Sequence, residues 1–142
     1  MCICLGTSAL SRRLAGIRPR SFPLSFFKLL MFDFLKSAAP AYQNLTPAQF
    51  AQGLRQPGAV LLDVRRPDEF AGGHLPNALN LEVTAPDFTQ RAAALDKDAP
   101  VYVYCRSGAR SATAAGQLSK AGFANVHNML GGVLDWSEPL VR

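Results

Sequence analysis

The stretch Val101-Tyr102-Val103-Tyr104-Cys105-Arg106-Ser107-Gly108-Ala109-Arg110-Ser111 decides how the chain folds. Its first four residues alternate valine and tyrosine, both strong strand formers, and nothing among them breaks the run. Beyond Ser111, the spacing of Ala112, Ala115 and Leu118 marks one face of a helix extending to about Ala121. Gly122 suits the left-handed position that ends a helix, with Phe123 placed to pack back on the last turn. A strand that leads through a short glycine-containing loop into a helix is the repeating element of a parallel α/β sheet.

The same alternation extends upstream. Ala59-Val60-Leu61-Leu62-Asp63-Val64 is a short, largely apolar run after the Gln56-Pro57-Gly58 turn, as expected for a strand covered on both faces. Before it, Thr46-Pro47-Ala48-Gln49 has the form of a helix start. Thr46 is the N-cap, Pro47 the first helical residue and Gln49 the closing member of a capping box, with the helix reaching about Leu54. Arg65 to Ala71 reads as a short helix with acids near its N-terminus, Gly72 to Asn77 as a turn, and Ala78 to Val83 as another strand. Phe88, Ala92 and Leu95 predict a helix over 86–95. Downstream, Asn125 to Leu130 reads as a strand, Gly131-Gly132 as a turn and Val133 to Ser137 as a last short helix. Short connections between alternating elements imply right-handed crossovers in one parallel sheet.

The chain has 142 residues, 49% hydrophobic and 18% charged, which suits one globular domain. Its net charge of +5 is uneven: five basic residues precede the first acid, Asp33, whereas residues 31–142 hold equal numbers of each sign. The folded body therefore offers no electrostatic case for a nucleic-acid partner. No apolar run approaches the ~18 residues of a membrane span. Residues 1–40 read as a basic leader and linker, and residues 41–142 as the folded domain. The leader is either a targeting segment or an extension ahead of a start at Met31. A cytoplasmic location is expected in the second case, and export or organelle targeting in the first. Setting the leader aside removes Cys2 and Cys4 and leaves Cys105 alone, so a two-thiol redox site is excluded.

Ligands of parallel α/β sheets sit beyond the carboxyl ends of the strands, and here one strand end carries distinctive chemistry. Cys105 lies between the Val101–Tyr104 strand and a helix N-terminus, whose unpaired amides favour a thiolate and bound anions. Arg106 and Arg110 add permanent positive charge, and Gly108 lets the loop turn tightly enough to aim its amides inward. The pattern describes an activated thiolate in an anion cradle.

With these residues in view, the chain resembles the rhodanese family of sulfurtransferases. Cys105-Arg106-Ser107-Gly108-Ala109-Arg110-Ser111 is similar to the family's active-site loop. Leu62-Asp63-Val64-Arg65, Glu69-Phe70, Gly73-His74-Leu75-Pro76, Ala78 and Asn80 are similar to its N-terminal signature, and Met129 to Trp136 to its closing segment. Asn77 departs from it, standing where the family usually has glycine, and the segment after Trp136 is short. The resemblance implies an open parallel sheet of about five strands with helices on both faces. It also implies that Cys105 carries sulfur as a persulfide, taken from a small anionic donor such as thiosulfate and passed to a thiol or cyanide. A sulfur-acceptor protein is a further partner of this kind, and no metal or organic cofactor is required.

The roles expected on this basis are nucleophile for Cys105 and substrate binding for Arg106, Ser107, Gly108, Ala109 and Arg110, with Ser107 acting through its backbone N–H. Asp63 and Arg65 are expected to support the loop through hydrogen bonds and a salt bridge, with Glu69 as a partner. His74 is read as a turn-holding residue, Trp136 as a core plug, and His127 as having no ligand role. Three other functions compete: a non-enzymatic persulfide carrier or interaction module, a rhodanese-related cysteine phosphatase, and a Cys–His hydrolase. Phosphatases of related fold place arginine six positions after the cysteine; here that position is Ser111, and the tighter loop disfavours phosphate.

Overall fold

The computed structural model describes residues 41–142. The expected basic leader and linker over residues 1–40 lies outside the described residues. A five-stranded, fully parallel sheet forms from β1 (Gln43–Leu45), β2 (Val60–Asp63), β3 (Leu79–Asn80), β4 (Val101–Tyr104) and β5 (Val126–Met129), in the order β1-β5-β4-β2-β3. The helices are α1 (Pro47–Gly53), α2 (Pro67–Gly72), α3 (Phe88–Ala92) and α4 (Ala109–Lys120), and a 3₁₀ turn spans Gly132–Asp135. Among the described residues no helix is long and apolar enough to cross a membrane.

The central strand β4 is buried at every residue, because both sheet faces are covered. On one face Leu62, Val101, Val103 and Val126 pack with Phe88 and Ala92 of α3 and with Ala114, Ala115 and Leu118 of α4. On the other, Leu61, Tyr102, Tyr104 and Met129 pack with Phe50 of α1. Period-2 alternation along β4 thus sends its valines to one layer and its tyrosines to the other.

Several elements form as the residues dictate. The Thr46 hydroxyl accepts the Gln49 N–H at 3.4 Å and the Gln49 side chain accepts the Thr46 N–H at 3.1 Å, closing the capping box with Pro47 at the first helical position. Gly122 has φ +96, and Phe123 N–H bonds back to the Leu118 carbonyl at 3.2 Å. Asn77 has φ +63, a left-handed conformation that asparagine tolerates better than most residues, which accounts for its place where glycine is usual.

Other elements differ from expectation. The strand expected over 78–83 is only Leu79–Asn80; beyond it Leu81 N–H and Val83 N–H still bond to the Asp63 and Val64 carbonyls at 2.8 and 3.2 Å, outside the regular ladder. The helix expected over 86–95 is α-helical only over Phe88–Ala92; its last turn tightens to i→i+3 bonds, Ala94 to Arg91 and Leu95 to Ala92. The helix expected over 133–137 is the 3₁₀ turn, which starts at Gly132. The edge strand β1 has no apolar run to announce it: its Asn44 side chain is instead held by Asn128 at 2.8 Å. Finally, the buried stripe of α4 is Ser111, Ala114, Ala115 and Leu118: Ala115 and Leu118 are buried as expected, whereas Ala112 is only half-buried and Ser111 and Ala114 complete the stripe.

Candidate active site

Cys105 follows β4 directly, and Gly108 is the N-cap of α4, so the intervening loop wraps over the helix N-terminus. The sulfur is fully buried beneath that loop. Gly108 N–H donates to Cys105 Sγ at 3.1 Å, and the Ser111 hydroxyl lies 3.4 Å from it. Burial pushes the thiol up. The Ser111 hydroxyl, with the backbone amides of Ser111, Ser107 and Gly108, outweighs that effect and leaves the Cys105 pKa below its ordinary value. These short-range dipoles, rather than the arginines, carry most of the stabilisation.

The loop is held in shape from behind. Val133 N–H donates to the Cys105 carbonyl at 2.9 Å, and Leu134 N–H donates to the Arg106 carbonyl at 3.1 Å. A trans peptide points its N–H opposite to its carbonyl, so pinning these two carbonyls outward turns the following amides toward the loop interior. Two glycines make this possible. A Cβ at Gly132 would collide with the Cys105 carbonyl oxygen. Gly108 has φ +94, and a Cβ there would press on the Met129 carbonyl at 3.1 Å.

A second layer fixes the neighbouring strand end. Asp63 is fully buried and Arg65 is 6% exposed. Arg65 Nη2 lies 2.6 Å from Asp63 Oδ2, its Nε lies 2.9 Å from Oδ1, and Nη2 also reaches the Gly73 carbonyl at 2.8 Å. Asn80 Nδ2 donates to the Asp63 and Arg65 carbonyls, and the Tyr104 hydroxyl accepts Leu75 N–H at 3.0 Å. The buried Tyr104 phenol, facing Asp63, stays protonated because its pKa is pushed up by desolvation first and by the carboxylate second. The Asp63–Arg65 pair therefore ties the end of β2 to the turn before Leu75.

Glu69 does not join that pair. Arg110 Nη1 and Nη2 grip its two carboxylate oxygens at 2.7 and 2.9 Å, which lowers the Glu69 pKa to about 2, chiefly through this hydrogen bonding. Arg106, Ser107 and Ala109 are exposed, and Arg106 makes no ion pair among the described residues. His74 occupies a turn: its ring stacks on Phe70 at 3.7 Å, and its main chain pairs with Val141. His127 stacks on Tyr102 and Trp136 packs edge-on against Phe50. Among the described residues no three His, Cys, Asp or Glu side chains gather as metal ligands would.

The family model for the rhodanese-like domain matches residues 46–139. The chain belongs to the rhodanese-like domain family. It is 40% identical over 96 residues to the thiosulfate sulfurtransferase GlpE of Pseudomonas syringae, covering 67% of this chain and 87% of that one. It is 39% identical over 94 residues to the uncharacterized protein YqhL of Bacillus subtilis, covering 66% and 71% of the two chains. The crystal structure of a rhodanese-like domain protein from Staphylococcus aureus superposes with a TM-score of 0.62 at 26% identity, covering 70% of this chain and 96% of that one. The five-stranded α/β architecture is thus the rhodanese-like fold.

Two features of this rhodanese-like site were not readable as site chemistry. Ser111 is a polar residue inside the apolar stripe of α4, and its only signal was its position directly after the loop. The Arg110–Glu69 pair joins residues 41 positions apart, and nothing in either segment alone announces it.

Proposed function

We propose that the protein is a sulfurtransferase that moves sulfane sulfur from thiosulfate or a related donor to a nucleophilic acceptor through a persulfide on Cys105. The observation that carries this reading is the hydrogen bonding of Cys105 Sγ by the Gly108 amide and the Ser111 hydroxyl at a helix N-terminus. Such an arrangement favours the thiolate, which is the attacking species in thiol chemistry. The family membership and the named activity of the Pseudomonas syringae relative support the same reading.

Two steps follow. The Cys105 thiolate attacks the outer sulfur of thiosulfate; the new S–S bond forms as the donor S–S bond breaks, and sulfite leaves with the electron pair. An acceptor then attacks the outer sulfur of the persulfide: cyanide leaves as thiocyanate, or a thiolate as its own persulfide, and Cys105 returns to the thiolate. In this scheme the loop amides, Ser107 and Gly108 among them, stabilise the anionic sulfur in both states, and the exposed Arg106 meets the incoming anion. The test is thiosulfate:cyanide transfer by wild type and by Cys105→Ser, with aryl-phosphate hydrolysis measured alongside. Thiocyanate from wild type alone is expected; phosphate release without thiocyanate would make the protein a phosphatase.

A further inference from the structure

The loop carries two guanidinium groups, and one of them is already engaged. Arg110 holds Glu69 in a two-point grip at 2.7 and 2.9 Å, with side chains 34% and 24% exposed, so the pair faces solvent and any incoming ligand. Two other arginines nearby are also matched, whereas Asp135, beside Gly131 in the turn behind the loop, makes no ion pair among the described residues. Asp63 neutralises Arg65 within the interior, and Asp68 lies 3.1 Å from Arg66 on the surface. Arg106 is left as the loop's free cation among the described residues.

We propose that Glu69 sets the charge class of the sulfur donor: by occupying Arg110 it withdraws one cation from the mouth of the loop and disfavours dianions relative to singly charged or neutral donors. This deepens the sulfur-transfer reading and rests on it. A small-thiol persulfide illustrates the favoured class: its terminal sulfur carries at most one negative charge, and it reacts through its protonated form, R–S–SH. The Cys105 thiolate attacks its terminal sulfur, the donor S–S bond breaks, and R–S⁻ leaves while Cys105 gains the S–SH group. Charge is conserved, and no dianion has to approach a thiolate. Thiosulfate brings two negative charges to the same sulfur and feels the missing cation most. Glu69 is thus a positioning residue that acts through Arg110.

Glu69→Gln isolates the charge. Glu69 is the third residue of α2, where it accepts the Arg66 N–H at 3.3 Å, and glutamine serves that capping position equally well. Glutamine also keeps an oxygen for Arg110 while removing the negative charge. In the full chain, the KM for thiosulfate should fall roughly fivefold, the size expected for one partly screened charge acting on a dianion. The KM for a small-thiol persulfide should fall by a smaller factor, and the thiosulfate gain should shrink at high salt. A second readout needs no sulfur transfer: the rate of Cys105 alkylation by iodoacetate relative to neutral iodoacetamide should rise about twofold, a smaller factor than for thiosulfate because iodoacetate carries a single charge. Arg110→Met, which leaves the Glu69 carboxylate unpaired, should move that ratio in the opposite direction. A mere brace between α2 and α4 would shift both variants the same way, or lower kcat with both KM values unchanged, and either result would overturn the inference. If neither wild type nor variant accepts sulfur, the sulfurtransferase reading fails, and the alkylation ratio decides the charge effect by itself.

Discussion

The Ser111 hydroxyl stands 3.4 Å from Cys105 Sγ and 3.1 Å from the Gly108 carbonyl, with one proton to give to the two of them. When Cys105 is ionised, the sulfur is the stronger acceptor. Once the charge moves out to a transferred sulfur, the carbonyl can reclaim the proton. In the proposed transfer the bond thus favours the thiolate more than the persulfide, and it does so from a fully buried position where water cannot replace it.

Removing that hydroxyl should raise the Cys105 pKa. A hydrogen bond to a charged group contributes about 1.5 kcal/mol or more, so Ser111→Ala should move the pKa up by about one unit. Thiolate absorbance followed against pH reads this directly. An unchanged titration would assign the stabilisation to the backbone amides alone.

The Glu69–Arg110 pair should make stability depend on pH in acid. The folded-state pKa of Glu69 is about 2, below its ordinary 4.5, so its contribution is complete above pH 4.5 and is lost as the pH falls through about 2. Because both side chains are partly solvated, the contribution is about 1 kcal/mol rather than the full value of the shift. Denaturant melts of wild type and Arg110→Met should differ by that amount near neutrality and converge toward pH 2. A constant difference across the range would contradict the pairing.

Asp63 and Arg65 should behave as a unit. Truncating either one leaves a buried, unpaired charge, so Asp63→Ala or Arg65→Ala should each destabilise by about 3 kcal/mol or more. The double variant should lose far less than the two losses combined, because neither charge is then stranded. Urea midpoints of the four proteins supply the cycle; simple additivity would mean that the two side chains act independently.

Gly132→Ala tests the support behind the loop. The added methyl group meets the Cys105 carbonyl, and the residue sits at φ +58, so the 3₁₀ turn must move and release the carbonyls it pins. A loss of about 1–3 kcal/mol is expected from the backbone conformation alone. The Cys105 pKa should rise as the amides turn away. Loss of stability with an unaltered thiolate titration would separate the support from the sulfur's environment.

How far the sequence discloses this site depends on whether a residue's role is local. Thr46, Pro47 and Gln49 sit within one turn and specify their cap by themselves. The Val-Tyr-Val-Tyr run and the cysteine after it place Cys105 at a strand end, since strand and helix alternate with short connections. Ser111 eludes the periodicity because a polar side chain in a buried stripe looks like a break in the pattern, so Ala112 takes its place in the apparent apolar face of α4 while Ala115 and Leu118 are placed correctly. Gln43–Leu45 is an edge strand, exposed at two of its three residues, and an edge needs no apolar alternation to be recruited. Glu69 lies close in sequence to the Asp63–Arg65 pair, which suggests it as a partner there. Its actual partner, Arg110, lies 41 positions away at the start of α4 and reaches it only in the folded chain.

The most direct test of the central claim is the intact mass of the protein before and after thiosulfate. Cys105 is the one cysteine of the described residues, so a persulfide there has no neighbouring thiol within the domain with which to collapse into a disulfide. Thiosulfate should add a single sulfur atom, cyanide or excess small thiol should remove it, and Cys105→Ser should gain nothing. A sulfite adduct, a covalent dimer through Cys105, or an equal gain by Cys105→Ser would contradict the account.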